Sequence, residues 1–262
     1  MPRLALRGVA LTYLGLLLAL PVGLVFYRAF EKGLGPLWES ITTPEAMHAF
    51  WLTLVMVAVA APLNTLFGVL CALVLVRQDF RGKSILNASI DLPFAVSPVV
   101  IGLALILVYG RDGWVGGWLA ENGVQVIFSP IGMVLATIFV SLPFVVREVV
   151  PVLREIGTEQ EQAAATLGAS PLQTFWRVTL PAIRWGVAYG VVLTTARALG
   201  EFGAVSVVSG KLSGRTETLT LRVEERFQGF DLTGAYSAAV VLALMALATL
   251  LVMNLLRPKE GV

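Results

Sequence analysis

The chain has 262 residues, 57% of them hydrophobic and 14% charged, with a mean hydropathy of +0.82. That balance excludes a water-soluble domain and implies an integral membrane protein. A net charge of +2, scattered between apolar runs, excludes a nucleic-acid-binding face. One cysteine, Cys71, and one histidine, His48, exclude intrachain disulfides, thiolate cages, most zinc sites and most triads.

Six apolar runs are long enough to span a bilayer: Leu11 to Phe30, Phe50 to Val76, Ile85 to Tyr109, Ile131 to Val150, Trp185 to Val208 and Ala235 to Leu256. The first follows Arg3 and Arg7 as a signal peptide would. It is too long for one and no A-x-A site follows, so it reads as a retained anchor. Residues 1–49 are thus an N-terminal membrane helix with an external loop, 50–256 the membrane core and 257–262 a tail. Lysines and arginines gather on the side of Arg3, Arg7, Arg77, Arg81 and Lys83, which the positive-inside rule makes cytoplasmic, together with both termini. Cys71, inside the second run, reads as a small buried hydrophobe.

Asp91, Pro93 and Pro98 lie in the third run. Each proline removes a helical hydrogen bond, so this span is expected to kink or unwind. In a membrane such a break lines a path or is packed by protein, and both readings stand. Arg81-Gly82-Lys83-Ser84 imitates the end of a phosphate-binding loop, but Arg77 stands where that loop needs its first glycine.

The segment 151–184 is the longest cytoplasmic connection. Thr158 and Glu161 have capping-box spacing, Gly168 stops a helix, and Ser170, Pro171 and Gln173 restart one. Leu172, Phe175 and Trp176 fall on one face, and Pro181 is expected to break the run before the fifth span. The reading is an elbow of two short helices, too short to stand alone in water, so something packs against them.

In the fifth run, Arg197 and Glu201 share a helical face at i, i+4. Counted from Trp185, Arg197 falls about 18 Å along the helix, near midplane, where insertion costs roughly 2.5–3.5 kcal/mol. The pair either gates a path or glues helices. The loop from Ser209 to Gly234 mixes Lys211, Arg215, Arg222 and Arg226 with Glu217, Glu224, Glu225 and Asp231, as a protein-facing surface would.

Gln162, Ala163, Ala164, Gly168, Val178, Leu180 and Pro181 match in spacing the E-A-A, three residues, G, nine residues, I-x-L-P signature. The elbow therefore resembles the EAA loop of ABC-transporter permeases. "LPFAVSPVVIGL", "ARALGEFGAVSVVSG" and "TETLTLRVEE" narrow the resemblance to the CysW-type permeases of sulfate and thiosulfate importers, over roughly Phe50 to Leu256. Molybdate-type permeases share the "ALGEFGA" piece.

The resemblance implies an all-α permease of the type I importer kind, with about six transmembrane helices, in a bacterial-type inner membrane. Its elbow would couple to two ATP-binding subunits that hold the ATP. The chain itself would bind no cofactor and catalyse nothing. A related CysT-type permease and an external sulfate-binding protein would complete the importer. Gln162 and Val178 depart from the signature, and Glu161 is the neighbour able to replace the missing charge toward the ATPase. Pro93, Pro98, Arg197 and Glu201 are the candidate path or gate residues. Two rivals compete: a secondary transporter, which leaves the elbow without a task, and an intramembrane hydrolase, for which His48 has no partner at fixed spacing.

Overall fold

The structure, a computed structural model, describes residues 2–256; the expected tail 257–262 lies outside the described residues. Every described element is helical. In order they are α1 (Pro2–Leu14), a π turn (Gly15–Ala19), α2 (Leu20–Phe30), α3 (Leu34–Ile41), α4 (Pro44–Arg77), α5 (Lys83–Ala95), α6 (Pro98–Tyr109), α7 (Gly116–Glu121) and α8 (Pro130–Glu155). There follow α9 (Glu159–Thr166), α10 (Pro171–Thr174), a second π turn (Phe175–Thr179), α11 (Leu180–Leu199), α12 (Gly203–Val208), α13 (Leu219–Gln228) and α14 (Leu232–Leu256).

Four stretches are long and apolar enough to cross a membrane: Leu6–Phe30, Pro44–Arg77, Pro130–Glu155 and Leu232–Val252. The α5–α6 pair makes a fifth if its halves count as one. The expected fifth span is revised. Its helix α11 begins at Leu180 and ends at Leu199, 20 residues diluted by Arg184 and Arg197, and 203–208 form the separate α12. At 1.5 Å per residue α11 is about 30 Å long, but it is not among the helices apolar enough to count, so the described residues give four spans, or five with the bent pair, where six were expected.

Helix α8 is sandwiched between α4 and α11. Val145, Val146 and Val149 are fully buried there. Small residues let the backbones close: a methyl on Gly68 would come within 2.6 Å of Val145 Cβ, and one on Gly190 within 2.8 Å of Val145 Cα. One turn away, Asn64 Nδ2 donates to Ser141 Oγ at 2.8 Å and to the Ile138 carbonyl at 3.2 Å, a polar rung between α4 and α8. Farther from the elbow, Met133, Ala136 and Val140 pack with Ile101 of α6, Ala204 and Val205 of α12 and Leu221 of α13.

The third run bends by 115° between α5 and α6. The break falls at Val96 and Ser97, both extended. Pro98 is its cause, because a proline pushes the preceding residue out of the helical region and then starts a helix well at its first position. Pro93 does not break the chain; it lies buried inside α5. The expected kink is therefore one sharp bend, set by Pro98 alone.

Pro181 does not end the run before α11 either: α10, the π turn and α11 are continuous. Leu180 N–H reaches back to the Phe175 carbonyl, five residues away, and this widening accommodates the proline ring that would otherwise strike the carbonyl four residues back. Pro21 stands at the same offset after Gly15–Ala19, where Leu20 N–H reaches Gly15.

The expected charged surface between Ser209 and Gly234 is partly interior. Arg222 Nη1 lies 3.2 Å from Glu217 Oε2, with side chains 3% and 2% exposed. Arg222 Nη2 also donates to Thr43 Oγ1 at 3.0 Å, and Leu219 N–H donates to Thr53 Oγ1 at 3.1 Å, so α13 is bolted to the start of α4. Two of the expected partner-facing charges are thus structural.

Candidate functional site

The elbow forms, with changes to its expected caps. Gly168, at φ +84°, closes α9: its N–H donates to the Ala165 carbonyl and Ala169 N–H to the Ala164 carbonyl, both at 3.0 Å, the paired bonds of a Schellman ending. Ser170 and Gln173 form the expected reciprocal box at 3.3 and 2.9 Å. Thr158 makes no cap bond to the backbone. Its hydroxyl accepts from Gln162 Nε2 at 3.1 Å instead, and the Glu161 carboxylate that would have returned the cap is engaged elsewhere.

Glu161 turns inward, away from any external partner. Its Oε2 lies 2.9 Å from Arg77 Nε, and its Oε1 accepts from Arg77 Nη2 at 3.2 Å and from Thr179 Oγ1 at 2.8 Å. The same guanidinium donates to the carbonyls of Leu153 at 3.1 Å and Gly157 at 2.6 Å, beyond the reach of helical donors at the end of α8. A groove of about 320 Å³ between α4 and the elbow holds this cluster, lined also by Leu73, Pro171 and Phe175. The charge that Glu161 was expected to offer the ATPase is thus already paired inside the chain, with the Arg77 guanidinium and the Thr179 hydroxyl.

The signature residues divide by face. Gln162, Ala163 and Pro181 are exposed, while Ala164, Val178 and Leu180 are half-buried. The expected common face of Leu172, Phe175 and Trp176 is also split: the π turn begins at Phe175 and rotates it into the core, edge-on to Trp176 with ring centroids 5.4 Å apart. Left outside are Leu167, Leu172 and Trp176, which are 88%, 68% and 59% exposed. Three large apolar side chains thus stand exposed on an otherwise polar elbow.

Arg197 is not at a helix midpoint. Counted from Leu180 it lies about 26 Å along α11, in the last turn. Its Nη1 is 2.7 Å from Glu201 Oε2, an ion pair without hydrogen-bond alignment, in which the glutamate side chain is 1% and the arginine 30% exposed. Glu201 Oε1 accepts from Ala204 N–H at 2.9 Å, and the Glu201 carbonyl accepts from Thr220 Oγ1 at 2.8 Å. The cation thus closes the C-terminus of α11 and the anion opens α12, each complementing a helix dipole. Pro98 belongs to the same junction, since a methyl on Gly203 would meet Pro98 Cβ at 2.8 Å. Pro93 does not.

Sequence reasoning missed two pairs. Arg147 Nε donates to Asp91 Oδ1 at 2.8 Å, and its Nη2 pairs with Oδ2, clamping α5 to α8 with both side chains partly exposed. Arg77, counted only as a topological marker, is the centre of the elbow cluster. A cation closing a long apolar run was the one available signal.

Apolar spans, a bent helix pair and an exposed elbow define the chain as a multi-pass membrane protein. Residues 64–260 match the family described as binding-protein-dependent transport system inner membrane component. The chain belongs to that family, whose members are permease subunits of multi-pass membrane transporters. It is 52% identical over 256 residues to the sulfate transport system permease protein CysW of Synechocystis sp. (strain ATCC 27184 / PCC 6803 / Kazusa), covering 98% of this chain and 93% of that one. It is 45% identical over 245 residues to CysT of Synechococcus elongatus (strain ATCC 33912 / PCC 7942 / FACHB-805), covering 94% and 87%. The fold matches a chain of a bacterial alginate ABC transporter crystallised with an alginate pentasaccharide-bound periplasmic protein, with a TM-score of 0.81 at 19% identity, covering 98% and 95%.

Proposed function

We propose that the chain is the CysW-type permease subunit of an ATP-driven importer for sulfate and thiosulfate. It works beside a CysT-type permease, two ATP-binding subunits and an external sulfate-binding protein. ATP is bound and hydrolysed on the partner subunits; this chain binds no cofactor and converts their motion into alternating access. Both termini and the elbow face the cytoplasm. The observation that carries the reading is the elbow's exposed Leu167, Leu172 and Trp176, an apolar plug of side chains of the kind a helix lays into a groove on a partner. Arg197, Glu201 and Pro98 gather where α6, α11 and α12 meet, and we assign the gate of the path to this junction because its ion pair leaves Arg197 30% exposed beside a buried Glu201, as a charge facing a cavity would be.

The test is co-purification. With all subunits expressed together, Leu172→Asp and Trp176→Ala each strip the ATP-binding subunit from the complex and abolish sulfate uptake, while membrane levels of the chain hold. Retention of that subunit in both variants defeats the reading.

A further inference from the structure

The exposed plug explains where force enters; the cluster beneath it bears on where the force goes. Arg77 is the last residue of α4, and it holds carbonyls at the end of α8. Glu161 belongs to α9, and Thr179 closes the π turn that runs straight into α11. One guanidinium and one carboxylate therefore join the elbow to α4, α8 and α11, the three helices packed around Val145.

We infer that Arg77 and Glu161 are positioning residues of the transport cycle, the link through which displacement of the elbow reaches the bundle. Resting on the proposed coupling to an ATPase, this adds the route taken inside the chain. Three features favour it over a simple surface ion pair. The pair is partly buried, with side chains 16% and 22% exposed, so solvent screens it little. Glu161 Oε1 accepts two hydrogen bonds, Oε2 lies in ion-pair contact with Arg77 Nε, and the guanidinium donates to three partners, so neither side chain rotates freely. And α9 is a helix of 8 residues with no buried side chain, so these polar contacts, not a hydrophobic face of its own, fasten it to the bundle. Without them the plug would still dock, and its motion would be absorbed in the connection.

The experiment uses the whole importer in lipid vesicles: this chain, its permease partner, the ATP-binding subunits and the sulfate-binding protein. Two quantities are read, labelled sulfate moved per ATP hydrolysed, and ATP-binding subunit retained on the purified complex. Glu161→Gln and Arg77→Met are each expected to lower sulfate per ATP about tenfold with the ATP-binding subunit retained. The double variant falls no further than the worse single, because the two act through one contact. Arg77→Lys keeps the charge and recovers part of the ratio. Thr179→Val, which removes a single hydroxyl, lowers it about threefold and serves where Arg77→Met fails to assemble.

An unchanged ratio in Glu161→Gln and Thr179→Val overturns the inference. So do additive losses in the double variant. Loss of the ATP-binding subunit from Glu161→Gln overturns it as well, since that carboxylate would then be serving assembly. A wild-type complex that never holds an ATP-binding subunit, or moves no sulfate, sinks the proposed function instead.

Discussion

Three arginines illustrate how a membrane protein handles charge it cannot leave in oil. Arg222 is 3% exposed and has Glu217 within 3.2 Å, so removing one partner leaves the other charged and dry. Arg222→Met is expected to cost about 3–5 kcal/mol and to empty the membrane of folded protein, whereas Arg222→Met combined with Glu217→Leu is milder. Folded yield in detergent, read by size-exclusion chromatography, checks this; equal losses in the single and double variants would contradict it. Arg197 differs, being 30% exposed beside a buried Glu201. Arg197→Ala is expected to cut sulfate uptake and sulfate-stimulated ATPase activity together, while Arg197→Lys retains a share of both. Intact uptake in Arg197→Ala would leave the pair a packing role only. Arg77 is the third: from the end of α4 it reaches Leu153 of α8, Gly157 and Glu161 of α9.

At the scale of elements, proline decides where helices stop, and its effect depends on what precedes it. Pro98 starts α6 after two extended residues, while Pro93 sits buried in α5. Pro98→Ala is expected to let α5 extend toward α6 and to abolish uptake, with Pro93→Ala lowering it less than about twofold. Uptake assays on vesicles from cells expressing each variant separate the two, and equal effects would mean that Pro98 does not set the bend. The elbow shows a second mode. Its two helices, its Gly168 stop and its Ser170 restart were legible because caps are local: each needs residues within about four positions. Whether Thr158 or Arg77 satisfies Glu161 was not, since Arg77 lies 84 positions away.

For the whole molecule, the three-helix core sets the tolerance. Helix α8 is approached from both sides through glycine, at Gly68 and Gly190, and the added methyl in Gly190→Ala meets backbone, not a flexible side chain. That variant is expected to lose about 1–3 kcal/mol through overpacking, seen as a lower Tm of the purified complex. An unchanged Tm would show that α8 and α11 can separate without cost. A bundle packed this tightly moves as blocks instead of bending, which is why a single polar joint at the elbow can serve three helices.

The sequence by itself determined that the chain crosses a membrane, roughly where it does so, where the elbow stops and restarts, and which family it resembles. Hydropathy, caps and motif spacing are all properties of neighbouring residues. Only the tertiary structure decided that Glu161 faces Arg77, that Asp91 clasps Arg147, that Arg222 and Glu217 are interior, and that α11 ends at Leu199. Each depends on which faces of distant helices meet, and a uniformly apolar span carries no periodicity from which that rotation could be read.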